Sequence, residues 1–378
     1  MNYLGPHVVF AGGGTAGHLM PGIATAEYLA RAFPSTRITF ALTGRSLEKR
    51  LVASAGFESI VIPSRPLPRS ASEAIGFISA SFSGYRAASR FARDERVSVV
   101  VGLGGYGSVP MARAALRRRI PLVLLEQNAM PGRATRWFAN SATTICLAFA
   151  EAQEHFRDDV SARVTGNPVR PSFTKSAMAP DRFTRSTDRV RQLVVLGGSG
   201  GSRVLNEQVP RALYKSRAAI KGWRIVHQTG ERNVAAVREL YRKFDLAANV
   251  SSFFEDVPQL LGDTDLAISR AGGTTLAELA ALAVPSILVP YENAADNHQR
   301  VNADVYRALH AAELIDPREI EGRLDDQLAQ SITHLAQRPE QRRQMSEAIH
   351  DFAQPEASRA VVKIIREALS SRQLASVA

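Results

Sequence analysis

The chain has 378 residues, 45% of them hydrophobic, which is more than one ordinary core accommodates and predicts two domains. Lys and Arg outnumber Asp and Glu by 47 to 36, so the formal charge is +11 and anionic partners are favoured, such as phosphorylated substrates or anionic lipid headgroups. The basic residues are scattered without interleaved aromatic residues, which argues against a nucleic acid partner. The single cysteine, Cys146, rules out a disulfide within the chain and lies in an apolar run typical of a buried thiol.

Short apolar runs alternate with helical patterns along most of the chain. The strands predicted in the first half are His7–Phe10, Arg37–Leu42, Ser59–Ile62, Val97–Val101, Pro121–Leu125, Ala142–Leu147 and Ala162–Val164. Those predicted in the second half are Gln192–Leu196, Trp223–Gln228, Asn249–Phe253, Asp265–Ile268, Ser286–Val289 and Glu313–Ile315. Strands separated by helices are typical of right-handed βαβ units and parallel sheets.

The predicted fold class is therefore α/β, with two doubly wound Rossmann-like domains whose parallel sheets face each other across a cleft. The first domain is expected to span 1–170 and the second 171–354, with a polar, basic linker up to about Arg191. The first helix is expected to begin at Pro21, because proline suits the first position of a helix. A last helix, at about 355–378, could pack on either domain.

Three of the predicted strands end in glycine clusters, at 12–14, 102–107 and 197–201. Gly12, Gly14 and Gly17 fit the G-x-G-x-x-G spacing, in which the backbone approaches a phosphate at a helix N-terminus. Any one such turn can use glycine for steric reasons alone. Three of them, spread over two domains, favour a cleft that handles phosphates from both sides.

A dinucleotide site at the first glycine cluster is disfavoured. Such a site needs an acidic residue at the end of the second strand, and none follows Leu42. Arg45 could accommodate the 2′-phosphate of NADP, but nothing else in the sequence indicates a nicotinamide cofactor. The three glycine clusters lack a Walker A lysine, which excludes a P-loop nucleotide site. No cluster of Asp, His or Cys with metal-ligand spacing is recognised, so neither a metal nor a cofactor is expected.

The segment Ser269–Glu278 is the most informative block of the second half. A strand runs into a glycine turn and a helix, where amides and hydroxyls suit a diphosphate and Glu278 could accept from a ribose. In the alternative reading, Thr274 and Thr275 cap the helix and Glu278 completes a capping box. Further on, the polar loop from Pro290 to Ala303 offers the paired donors and acceptors that read sugar hydroxyls.

Seven motifs in order give the chain a family resemblance from end to end. They are Gly12–His18, Gly104–Tyr106, Glu126–Asn128, Gly166–Arg170, Gly197–Ser199, Arg270–Glu278 and Asp296–Ala303. With these motifs the chain resembles the MurG family of GT-B glycosyltransferases, family 28. These enzymes transfer N-acetylglucosamine from UDP-N-acetylglucosamine to undecaprenyl-diphospho-muramoylpentapeptide in peptidoglycan synthesis.

The resemblance implies a set of contacts to the two substrates. The UDP-sugar would be bound by Thr15, Ala16, Gly17, Asn128, Arg170, Ser199, Phe254, Gly273, Thr274, Thr275, Glu278, His298 and Gln299. The acceptor diphosphate would be bound by Gly13, Gly14, Gly104, Gly105 and Tyr106. The sequence departs from the family at Ala16, often glycine there, and at His298, often glutamine.

His18 is the candidate general base for an inverting transfer, because histidine titrates near neutral pH and this one follows the first glycine loop. Alternatively, His18 caps the helix or binds the diphosphate. A different lipid acceptor, such as diacylglycerol, and a non-catalytic nucleotide-sugar sensor are the alternative functions.

A polyprenyl diphosphate acceptor requires a membrane surface. Leu67 to Arg90 mixes apolar and basic residues at helical spacing, which fits an interfacial helix or, alternatively, a helix facing the core. No stretch approaches the roughly 18 apolar residues of a spanning helix, and the first residues lack a signal-peptide pattern. We therefore expect a peripheral protein on the cytoplasmic face of the inner membrane, with an anionic membrane surface and other cell-wall synthesis proteins as partners.

Overall fold

The structure is a computed structural model that describes residues 5–68, 70–173, 189–198 and 200–377, with side chains up to residue 371. Its contacts divide the chain into two units. One comprises the residues up to Arg170 together with those from Gln354 onward, and the other comprises Pro171–Ala353. They are called unit 1 and unit 2 below.

Unit 1 is built on a parallel sheet with the strand order β3-β2-β1-β4-β5-β6-β7 in its described residues. The strands are β1 (His7–Ala11), β2 (Arg37–Leu42), β3 (Glu58–Val61), β4 (Val99–Gly102), β5 (Leu122–Glu126), β6 (Thr144–Leu147) and β7 (Ala162–Val164). β1 pairs in parallel with β2 on one side and with β4 on the other, so that Ala11 lies opposite both Ala41 and Gly102. The chain order reverses between β1 and β4, which makes this point the topological switch of the sheet.

Both faces of this sheet are covered, as the unbroken apolar run of β1 requires. Val8 and Phe10 belong to one core cluster, Val9 and Ala11 to another, and all four are fully buried. Successive residues of a strand point to opposite faces, so a strand between two helical layers has no polar face.

The helices of this part of the chain are α1 (Ala16–Ala32), α2 (Ser46–Ser54), α3 (Ala71–Asp94), α4 (Val109–Arg117) and α5 (Arg133–Phe138). The expected start of the first helix at Pro21 is wrong: α1 begins at Ala16 and contains Pro21. Leu19 and Ile23 belong to the same buried cluster, so core packing extends the helix through the proline, which removes only one backbone donor. The extension places His18 in the first turn of α1.

Unit 2 repeats the architecture with the strand order β10-β9-β8-β11-β12-β13 in the part described. The strands are β8 (Gln192–Leu196), β9 (Arg224–Gln228), β10 (Ala248–Ser251), β11 (Leu266–Ser269), β12 (Ser286–Leu288) and β13 (Ala312–Leu314). The helices are α6 (Arg203–Lys215), α7 (Val234–Lys243), α8 (Val257–Gly262), α9 (Gly273–Ala281), α10 (His298–Ala308), α11 (Leu324–Gln337) and α12 (Pro339–Asp351). Every pairing described in this sheet is parallel, and the switch point lies between β8 and β11.

The last helix, α13 (Ala357–Val377), belongs to unit 1 although it follows unit 2 in the chain. It packs against α1, and its residues Val361 and Ile365 are fully buried in the same cluster as Val8 and Phe10. An exposed ion pair joins Arg163 of β7 to Glu367 of α13 at 2.7 Å. Apolar burial rather than this pair holds the helix in place, since exposed ion pairs contribute little.

Candidate active site

Two glycine-rich loops meet at the switch point of the unit 1 sheet. The first, Gly12–Gly17, follows β1, and the second, Leu103–Gly107, follows the neighbouring β4. A Cβ added to Gly12 would lie 2.6 Å from the Cβ of Leu103, so the loops approach each other more closely than a side chain allows. We call them the unit 1 loop pair; ligands of doubly wound sheets bind at this place.

His18 lies against the second loop of the pair. Its Nδ1 is 3.2 Å from the hydroxyl of Thr15. A Cβ added to Gly105, which has a φ of 67°, would lie 3.2 Å from the same nitrogen, and one added to Gly104 would lie 3.5 Å from the ring. The structure therefore brings the candidate base together with predicted residues of both loops.

The remaining predicted residues of the loop pair lie close by. A Cβ added to Gly14 would be 3.3 Å from the ring of Tyr106, so these two expected diphosphate contacts are neighbours. Ala16 and Gly17 form the first turn of α1, where backbone N–H groups have no acceptor within the helix. Gly13 is buried below them.

A buried carboxylate that the sequence analysis gave no role, Glu126, shapes the loop after β5. It accepts hydrogen bonds from the backbone and side-chain nitrogens of Asn128, both at 3.1 Å. It also accepts from Gly132 N at 2.9 Å and from the Thr135 hydroxyl at 2.6 Å. Glu126 thus fixes the predicted donor-sugar residue Asn128 just past the end of β5, the strand next to β4. The signal available in the sequence was an acidic residue at the end of an apolar strand.

Arg170 lies at the end of the segment that follows β7. Burial raises the pKa of Glu27 in α1, and the positive charges of Arg31 and Arg170 offset part of this rise. The predicted UDP-sugar residue Arg170 therefore lies near the helix that carries His18.

In unit 2, β11 runs through Arg270 and Ala271 into α9, whose N-cap is Gly272. The capping-box alternative is therefore wrong, because Thr274 and Thr275 lie inside the first turn and the residue at the cap has no side chain. Glu278 is half-buried one turn further on. The first amides of α9 have no acceptor within the helix and lie at its positive end, an arrangement that suits a diphosphate.

Two buried side chains tie this turn to neighbouring elements through backbone carbonyl groups. The guanidinium of Arg270 donates to the carbonyl oxygens of Val289 at 3.0 Å and Pro290 at 2.7 Å, and lies 5.5 Å from the centre of the Tyr291 ring. Asn302 of α10 is fully buried and donates to the Ala271 carbonyl at 3.0 Å. Burial lowers the pKa of Arg270, against the opposing effect of Glu292. A positive charge thus lies directly behind the turn.

The predicted sugar-reading residues begin α10. His298 Nδ1 donates to the Ala295 carbonyl at 2.7 Å, and the side-chain oxygen of Gln299 accepts from the backbone N–H of Tyr291 at 2.9 Å. Asp296 and Asn297, just before them, both have a positive φ, 50° and 57°. Consecutive left-handed residues other than glycine are strained, and such strain concentrates at functional loops.

The third glycine cluster follows β8, at the switch point of unit 2. Ser199, expected at the diphosphate, lies outside the described residues. Below this loop, Asn206 donates to the Thr229 carbonyl at 3.0 Å and its side-chain oxygen lies 3.1 Å from His227 Nε2. The other ring nitrogen of His227 is 3.0 Å from the Tyr241 hydroxyl.

Phe254, expected to hold the uracil through its backbone, is half-buried three residues past the end of β10. The predicted strand Asn249–Phe253 was therefore too long, because β10 ends at Ser251. The hydroxyl of Ser251 donates to the Phe253 carbonyl at 2.8 Å and turns the chain away from the sheet.

Comparison with known proteins assigns the family. The model of the glycosyltransferase family 28 N-terminal domain matches residues 8–147, and that of the family 28 C-terminal domain matches residues 192–361. The chain belongs to glycosyltransferase family 28. Within family 28 it is similar to a Thermodesulfovibrio yellowstonii protein named UDP-N-acetylglucosamine–N-acetylmuramyl-(pentapeptide) pyrophosphoryl-undecaprenol N-acetylglucosamine transferase. The two are 33% identical over 373 residues, which cover 97% of this chain and 100% of the relative.

Solved structures share the fold of this chain. MurG from Acinetobacter baumannii is 28% identical with a TM-score of 0.73, over 96% of this chain and 100% of that one. The UDP-GlcNAc 2-epimerase of Neisseria meningitidis, solved with UDP-GlcNAc bound, shares the fold with a TM-score of 0.63 at 13% identity, over 96% of this chain and 99% of that one. The predicted fold class is thereby confirmed: two Rossmann-like α/β units with parallel sheets, as in GT-B glycosyltransferases.

Proposed function

We propose that this family 28 chain transfers N-acetylglucosamine from UDP-N-acetylglucosamine to undecaprenyl-diphospho-N-acetylmuramoyl-pentapeptide, in peptidoglycan synthesis. The observation that carries the proposal is the similarity over nearly the whole length of both chains to a protein named for this reaction. The loop geometry of both units supports it, since each sheet presents anion-binding turns at its switch point.

Unit 2 binds the UDP-sugar in this proposal. The diphosphate would lie on the first amides of α9 and at Ser199, with the ribose on Glu278, the sugar on His298 and Gln299, and the uracil at the backbone of Phe254. The buried charge of Arg270 behind the turn supports this assignment, because it offsets negative charge that develops on departing UDP. The family resemblance also assigns Thr15, Ala16, Gly17, Asn128 and Arg170 of unit 1 to the UDP-sugar.

His18 would act as the general base. The 4-hydroxyl of the acceptor sugar attacks the anomeric carbon of N-acetylglucosamine and loses its proton to His18, while the bond to UDP breaks on the opposite face. One such displacement inverts the anomeric centre and needs no covalent intermediate. The position of the ring, beside both loops that would hold the acceptor diphosphate, supports this role.

A first experiment measures transfer of labelled N-acetylglucosamine to a short-chain analogue of the lipid acceptor by wild type and His18→Ala. We expect wild-type turnover and a loss of roughly 10²- to 10⁴-fold in the variant, the usual contribution of a general base. UDP binding by the variant, measured by calorimetry, should stay at the wild-type value. An inactive wild type would contradict the proposed function. Normal turnover by the variant would show that His18 is not the base and would leave the proposed function standing.

The protein would dock on the membrane through α3. Ile75, Ile78 and Phe82 are 79%, 65% and 61% exposed along one stripe of this helix, so these three large apolar residues face solvent, whereas Tyr85 and Phe91 of the same helix pack against the core. Arg86 lies 5.4 Å from the centre of the Phe82 ring, which adds positive charge at the stripe. None of the described helices is long and apolar enough to cross a bilayer.

Vesicle co-sedimentation tests this docking. Phe82→Asp together with Ile78→Asp should reduce the binding to anionic vesicles more than tenfold, since each buried apolar side chain contributes roughly 1.5–3 kcal/mol. Leu309→Asp together with Val190→Asp, at apolar residues of unit 2 that are 46% and 64% exposed, adds the same charge; it is the matched control and should bind like wild type. Equal binding by the α3 double variant and the control would contradict docking through α3.

A further inference from the structure

The first glycine loop of unit 1 already has an anion of its own. Glu48 of α2 is 3% exposed, and its carboxylate accepts from the backbone N–H groups of Gly14 at 2.6 Å, Thr43 at 3.0 Å and Gly44 at 3.2 Å. The Thr43 hydroxyl donates to the same carboxylate at 2.7 Å. The amide of Gly14, which a bound phosphate would otherwise use, is therefore already occupied.

The positive charge at this loop comes from Arg45, three residues before Glu48. One guanidinium nitrogen donates to the Gly14 carbonyl at 2.6 Å, and another donates to the Tyr106 hydroxyl at 3.1 Å. The guanidinium therefore touches both loops of the pair and bridges them. The side chain is exposed and forms no ion pair with any residue that the structure describes.

We propose that Arg45 binds the diphosphate of the lipid-linked acceptor. This inference rests on the proposed function. The other residues assigned to that diphosphate, Gly13, Gly14, Gly104, Gly105 and Tyr106, offer only uncharged groups, whereas a diphosphate that joins a sugar to a lipid carries negative charge on both phosphate groups. A guanidinium at the junction of two glycine loops supplies the missing charge, and its planar fork matches two phosphate oxygens.

Glu48 is the positioning residue in this arrangement. By holding the Gly14 amide and the turn of Thr43 and Gly44, it fixes the start of α2 against the first loop, and Arg45 is carried by that turn. On binding, the guanidinium would exchange the Gly14 carbonyl for phosphate oxygens while the carboxylate keeps the loop closed beneath it.

The test measures binding without turnover. A water-soluble short-chain prenyl-diphospho-muramoylpentapeptide is titrated calorimetrically into wild type, Arg45→Gln, Arg45→Lys and Arg50→Gln; the last removes the same charge from an exposed position of α2. We expect Arg45→Gln to bind roughly tenfold to a hundredfold more weakly, the usual effect of losing charge-assisted hydrogen bonds. Arg45→Lys should be intermediate, and Arg50→Gln should remain within about twofold of wild type.

Two further measurements make the test specific. UDP should bind all four proteins equally, and a probe with one phosphate in place of two should lose much of the difference between wild type and Arg45→Gln. The inference is overturned if the wild type does not bind the diphosphate probe, if Arg45→Gln binds it as Arg50→Gln does, or if UDP binding falls in parallel. A wild type that binds with this dependence on Arg45 but transfers no sugar would contradict the proposed function and leave the inference standing.

Discussion

The turns at the carboxyl ends of the strands are held by different groups in the two units. In unit 1 a buried carboxylate, Glu48, grips backbone N–H groups of the first glycine loop and of the turn before α2. In unit 2 buried side chains donate to backbone carbonyls instead. Arg270 donates to the carbonyls of Val289 and Pro290, which follow β12. Asn302 donates to the Ala271 carbonyl, and Asn206 donates to the Thr229 carbonyl. The same topology thus supports turns that differ in which buried side chains hold them.

The difference bears on which substrate each turn suits. The turn before α9 is held through the Ala271 carbonyl, and the buried guanidinium of Arg270 adds positive charge nearby; both features suit the UDP diphosphate at the start of α9. A turn whose amide is taken by a carboxylate needs a side chain for an anion, and unit 1 has Arg45 beside it. Three predictions test this contrast.

The largest expected effect is that of Glu48→Ala. Removing the carboxylate leaves the amides of Gly14, Thr43 and Gly44 without their acceptor, which should lower the free energy of unfolding by about 3 kcal/mol. Hydrogen exchange followed by mass spectrometry should show faster exchange at residues 12–18, while UDP binding is retained. Glu151→Ala, at an exposed acid of the same unit, is the control. Unchanged exchange in that segment would show that the carboxylate does not hold the loop.

A smaller effect is expected from Glu278→Gln. A carboxylate that accepts from both ribose hydroxyls would lose its charge-assisted bonds, so the KM for UDP-N-acetylglucosamine should rise roughly tenfold to a hundredfold. The KM for the lipid acceptor should not change. Glu321→Gln, an exposed acid of unit 2, serves as the control. A rise in the acceptor KM alone would reverse the assignment of the donor to unit 2.

The smallest effect concerns pH. Burial lowers the pKa of His227 to about 3, and its neutral form fits its partners, because Asn206 already donates through its nitrogen and must accept from Nε2–H. Above the unfolded pKa near 6.5 the stability from this group is fully present. Below it the unfolded chain takes up a proton that the folded one does not, so stability falls by roughly 1.4 kcal/mol per pH unit towards pH 3.

Chemical denaturation of wild type and His227→Gln between pH 7 and 5 measures this contribution. The variant should be less stable at pH 7 but should lose about 2 kcal/mol less on acidification. His310→Asn, at an exposed histidine with a positive φ that asparagine tolerates, should keep the wild-type slope. Equal slopes in wild type and His227→Gln would contradict the buried neutral histidine.

Much of the fold could be predicted from local patterns. Apolar runs such as Val8–Phe10 mark strands buried on both faces, and glycines at the strand ends mark the turns, because these signals reside in neighbouring residues. The errors arose where distant packing outweighed a local preference. Pro21 lies inside α1 because Leu19 is drawn into the core, and Gly272 rather than Thr274 caps α9.

The sequence by itself determined the fold class, the family and the residues of the glycine loops. Only the tertiary structure decided that α3 turns Phe82 outward, that α13 returns to unit 1, and that Glu48 and Arg45 act on Gly14. The physical reason is the separation along the chain: Glu48 and Gly14 are 34 residues apart, so their bond exists only once β1 and β2 pair and bring the two turns together.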